Sequence, residues 1–128
     1  MKANLQKLIG TAVLGLAMFS QSLPAWAGQQ IRPEVAIGPN YAYGSTVGAR
    51  YSADTQQYIW CQFSPHNGPF VSCWARDKAN KFYACFKFDA SWATVVKSIT
   101  DSSLITFGGD AAGSCDRLIV ENHSSHLK

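Results

Sequence analysis

Four cysteines constrain this chain more than any other feature of its sequence. Cys61, Cys73 and Cys85 follow one another at intervals of twelve residues, and Cys115 comes thirty residues later. An even cysteine count in a short chain headed by an export leader reads as a disulfide framework of two bridges. Zinc ligation and thiol catalysis fit poorly, because there is no C-x-x-C pair and the twelve-residue gaps are not metal-ligand spacing. Four cysteines allow three connectivities. On three successive strands of a meander, Cys61 and Cys85 would stand about 9–10 Å apart, beyond the roughly 7 Å Cα limit for a bridge. Cys73 opposite Cys85 bridges only with favourable local geometry. At this level the pairing stays open.

The oxidising compartment is itself read from the first 27 residues. Lys2 and Lys7 precede an apolar run from Leu8 to Phe19, followed by a polar, Pro24-containing exit and the small-x-small triplet Ala25-Trp26-Ala27. This layout predicts a secretory signal peptide over residues 1–27 and export by the general secretory route to the periplasm or the extracellular space. The apolar run has 12 residues; as a helix it rises about 18 Å, short of a roughly 30 Å hydrocarbon core. No later run reaches eighteen apolar residues, so stable membrane insertion is not expected.

Without that leader, residues 28–128 hold nine of the 11 Lys and Arg and all 8 Asp and Glu, a net charge of +1. A nearly neutral chain lacks the dense basic face that captures nucleic acid, so no nucleic-acid partner is expected. Composition excludes a disordered chain: 47% of residues are hydrophobic and 15% charged.

Residues 28–46 are rich in proline and glycine and are predicted to form an extended or poorly ordered arm before a single domain over residues 47–128. Strand-like runs cover Gln56 to Phe63, Phe70 to Arg76, Lys81 to Phe88, Leu104 to Phe107 and Cys115 to Glu121. Asp77-Lys78-Ala79-Asn80 and Asp110-Ala111-Ala112-Gly113 share the D-x-x-N/G form of a type I turn that closes on a G1 bulge. The register set by the first turn places Phe70, Ser72, Trp74 and Arg76 on one face with Phe82, Ala84, Phe86 and Phe88. Val71, Cys73, Ala75, Tyr83, Cys85 and Lys87 take the other face. Between the two hairpins, Trp92, Val95, Val96 and Ile99 form the apolar stripe of a helix of about three turns, capped by Asp89 or Ser91. The expected fold is α+β: a small antiparallel sheet of about five strands (β-β-β-α-β-β), stabilised by disulfides, with one helix packed over its aromatic face.

Candidate chemistry is thin. His123 and His126 sit in a polar tail without an evident third ligand, so no metal and no cofactor is expected. No G-x-S-x-G motif is present. Asp77 and Asp110 are accounted for by turns and Asp89 by a helix cap. His66, in the Pro65–Pro69 loop, is the one histidine placed to work with a carboxylate, and a small secreted hydrolase is the alternative function on that basis.

The aromatic count is the remaining signal, with fourteen Phe, Trp and Tyr within residues 28–128. Core packing accounts for Phe82, Phe86, Phe88 and Trp92. Tyr58, Trp60 and Trp74, with His66, are the candidate binding surface, since aromatic side chains are preferred interface anchors. The leading expectation is therefore a small exported non-enzymatic protein, an inhibitor or accessory module that binds an unidentified protein or glycan.

Overall fold

A computed structural model describes residues 31–66 and 68–122. The leader predicted over residues 1–27, and His123 and His126, lie outside the described residues. The order of elements is β1 (Ala36–Ile37), β2 (Tyr41–Ser45), α1 (Thr46–Arg50), β3 (Tyr58–Ser64), β4 (Phe70–Arg76), β5 (Phe82–Phe88), α2 (Trp92–Lys97), β6 (Leu104–Gly109) and β7 (Cys115–Glu121).

The protein is mostly β, and the expected layout of five strands and one helix is only roughly matched. All five predicted strands form, but they divide between two antiparallel sheets, β1-β2-β6-β7 and β3-β4-β5. An antiparallel sheet with one apolar face must have that face covered. The helix expected to do so, α2, has six residues and spans only about 9 Å. The second sheet supplies most of the cover instead. One of the two inner strands of the four-stranded sheet comes from within the segment expected as an arm: Tyr41 to Ser45 pair with Gly108 to Leu104, and Ala42 is fully buried.

Local chemistry explains the ends of the elements. In both hairpins the aspartate carboxylate accepts two backbone N–H groups, Asp77 from Ala79 and Lys81, and Asp110 from Ala112 and Ser114. Asn80 and Gly113 follow with φ of 64° and 82°, the left-handed position that Asn and Gly tolerate best. These are the turns that the D-x-x-N/G spacing predicts. Helix α1, which the sequence does not announce, begins at Ser45, whose Oγ accepts the Gly48 N–H and donates to the Pro33 carbonyl. A Cβ on Gly48 would stand 2.4 Å from the Pro33 oxygen, so glycine permits this crossing. Helix α2 follows an Asx turn in which the Asp89 carboxylate accepts from the Ser91 N–H and hydroxyl. It ends short of the three turns expected, with the Ser98 hydroxyl donating to the Val95 carbonyl at its C-terminus.

The core lies between the sheets. Ala42, Ile105 and Phe107 of the four-stranded sheet meet Ile59, Val71, Cys73, Ala75 and Cys85 of the three-stranded one. The Phe107 ring lies 5.7 Å from that of Tyr83. Helix α2 adds Val96 to this core, with Trp92 packed alongside. Thus α2 lies on the Val71–Cys73 side of the three-stranded sheet, not over the aromatic face as expected, because the interior between the sheets is where its apolar stripe finds partners.

The disulfides are Cys61–Cys73 and Cys85–Cys115. Cys73 stands opposite Cys61 on one side and Cys85 on the other. With Cys61–Cys73 formed, Cys85 reaches across the interior to Cys115, tying β5 to β7 and so one sheet to the other. Both bridges fit an oxidising environment such as the periplasm or extracellular space. Among the described residues no helix is long and apolar enough to cross a membrane.

Candidate functional site: the outward face of the three-stranded sheet

Strands β3, β4 and β5 each have seven residues and pair without a register shift. Alternation therefore sends one complete set of side chains inward and the other outward. The inward set on β4 and β5 is Val71, Cys73, Ala75, Tyr83, Cys85 and Lys87. Outward go Tyr58, Trp60, Gln62 and Ser64 from β3, Phe70, Ser72, Trp74 and Arg76 from β4, and Phe82, Ala84, Phe86 and Phe88 from β5.

The sharing of residues between faces agrees with the register read from the turn. The direction of burial does not. Phe82, Phe86 and Phe88, expected in the core, are 46%, 47% and 64% exposed, beside Trp60 at 40% and Trp74 at 36%. The cause is volume. Phe107, Ile105 and two disulfides already fill the space between the sheets, leaving room only for small inward residues on β4. One signal could have indicated this beforehand: Cys73 and Cys85 share a face, and a buried framework puts that face inside.

The rings fall into two clusters. Trp60 and Trp74, directly opposite each other, lie nearly parallel with centroids 5.9 Å apart, and Phe82 lies 5.8 Å from Trp74. At the other end Phe70 lies 5.1 Å from Phe88 and 6.2 Å from Phe86. Ser72 sits between the clusters, with Gln62 and Phe86 opposite it on the flanking strands. Ser72 is 3% exposed, and its hydroxyl has no hydrogen-bond partner. The Arg76 Nε is likewise buried without a partner, while its guanidinium lies over the Tyr58 ring at 5.5 Å.

Of the residues singled out in the sequence, Tyr58, Trp60 and Trp74 come together on this face. His66 does not join them on the strands; it is exposed in the loop from β3 to β4. Tyr41 and Tyr43 stack on each other in the other sheet, and Tyr51 follows α1. Sequence reasoning missed Phe82, Phe86 and Phe88 as surface residues, and Ser72 as a buried hydroxyl among them.

The carboxylates nearest in kind to catalytic groups are held in local structure. Hydrogen bonds from the Gln57 side chain and the Gln56 amide keep the Asp54 carboxyl below its ordinary range. The Ser91 hydroxyl and amide do the same for Asp89. Both are therefore ionised acceptors at neutral pH, the opposite of what a general acid needs. Glu34 pairs with Lys78 at 2.7 Å. Among the described residues no group of three His, Cys, Asp or Glu side chains converges as metal ligands would. Comparison with protein-family models, curated proteins and solved structures finds no match for this chain.

Proposed function

We propose that this protein is an exported, non-enzymatic binding module, an inhibitor or accessory factor of the periplasm or extracellular space, that meets its partner on the outward face of β3-β4-β5. One observation supports the reading above all others: five large aromatic side chains on a single regular sheet face are each more than a third exposed. Isolated apolar residues on a surface are ordinary, but a contiguous cluster marks an interaction site. Rigidity supports it as well, since the Cys61–Cys73 bridge joins the two strands that hold Trp60 and Trp74. A preorganised surface loses less conformational entropy on binding.

The test is capture from envelope and extracellular fractions on purified protein, with a Trp60→Ala/Trp74→Ala double variant in parallel. The reading expects a stoichiometric partner, protein or glycan, held by the native protein and by His66→Ala but lost by the double variant. Capture unaffected by the double variant, or hydrolytic turnover that disappears with His66→Ala, would refute it.

A further inference from the structure

Resting on that binding-module reading, we infer that the occupant of the aromatic face is a glycan chain.

The polar groups define the ligand's chemistry. Ser72 Oγ can donate and accept, and Arg76 Nε donates; both lie buried and unpartnered among the rings. A wholly apolar occupant would leave both unsatisfied. A sugar ring answers both needs, because its C–H face stacks on an aromatic ring while its hydroxyls donate and accept at the ring's edge. Ser72 lies between the Trp60–Trp74–Phe82 and Phe70–Phe86–Phe88 clusters. The clusters are separated by the four residues from Phe70 to Trp74, about 13 Å along the strand, which suits a chain with one sugar ring on each cluster. Phe86, the cross-strand neighbour of Ser72, must turn aside for a ligand to reach the buried hydroxyl. Gln62, exposed on the other side of Ser72, adds an amide that pairs with further hydroxyls. Charge agrees: Arg76 is the sole charged residue of the twelve on this face, so the ligand is a neutral or weakly anionic polyhydroxyl chain.

The experiment titrates purified protein with a panel of short oligosaccharides: neutral glucans, N-acetylated amino-sugar chains and uronates. Tryptophan fluorescence and calorimetry report binding. At least one class should bind, with affinity reduced at least about tenfold by Trp60→Ala or Trp74→Ala and about threefold to tenfold by Ser72→Ala. Ser72→Ala should leave the melting temperature unchanged or higher, which a purely structural serine would not. If Trp74→Ala lowers the melting temperature, Phe88→Ala reads the same face from a more exposed site. Sedimentation of the native protein shows whether a second copy occupies it.

Failure of every oligosaccharide, with a protein still captured through Trp60 and Trp74, overturns the glycan and leaves the binding module standing. A dimer dissolved by Trp74→Ala also overturns the glycan. Loss of all binding overturns both readings.

Discussion

The two sheets of this protein differ in where they place their largest aromatic rings. In the four-stranded sheet Phe107 and Ile105 point inward and are fully buried, while the outward face is mixed, with Thr106, Arg117 and Glu121 beside the exposed Tyr43 and Ile119. In the three-stranded sheet the central strand sends only small residues inward, Val71, Cys73 and Ala75, with Phe63 and Tyr83 packed at the sides of the core, while Trp60, Trp74, Phe70, Phe82, Phe86 and Phe88 point out. One interior serves both sheets, so bulk contributed from one side restricts bulk from the other. The lesson concerns function as much as packing. Aromatic rings that the core does not require are free to meet something else.

The largest expected effect tests that asymmetry directly. Phe107→Ala should cost about 3–5 kcal/mol in urea unfolding, as deletion of a fully buried ring does. Phe88→Ala should cost under about 1 kcal/mol, because its ring stays largely in water. Equal costs would mean that the two sheets do not differ in the way described.

The disulfides come next, since one lies within a sheet and the other joins the two. Replacing either pair by alanine should cost about 2–4 kcal/mol, with Cys85–Cys115 the more costly by about 1 kcal/mol, because it closes the longer loop. Its sequence separation is 30 residues against 12. Intact mass before and after reduction should confirm that all four thiols are bridged.

The smallest effect lies where the two sheets' leading segments are tied together. Gln57 accepts the Val35 N–H through Oε1, and its amide donates to Asp54. The Asp54 carboxyl is held below its ordinary value of 3.8. A depressed folded value means that its stabilisation is complete above 3.8 and is lost as pH falls through the folded value. The stability difference between native protein and Asp54→Asn should therefore be constant at neutral pH and shrink on acidification below that point. A difference that grows in acid would contradict the arrangement.

Much of the local structure was legible in the sequence. Asp77 with Asn80, and Asp110 with Gly113, specify their turns by short-range hydrogen bonds and backbone conformation, and the first turn then sets the register of Phe70–Arg76 against Phe82–Phe88. Trp60 and Trp74 were legible as surface candidates. Phe82, Phe86 and Phe88 were not, because three phenylalanines at alternate positions look the same from the sequence whether their face meets a core or water. Strand β2 and helix α1 were obscured by Gly44 and Gly48, which interrupt the strand and helix patterns at positions where Val35 and Pro33 approach closely.

By itself the sequence determined five of the seven strands, the two related turns, the division of residues between the faces of the first hairpin and the presence of an even set of cysteines. These depend on interactions spanning a few residues, or on a pairing fixed by a single turn. The tertiary structure decided which face lies inside, which cysteines pair and how the strands divide between two sheets. Those outcomes depend on how a limited interior volume is shared among segments far apart in the chain, and Phe107 and the second disulfide fill it before the aromatic face can.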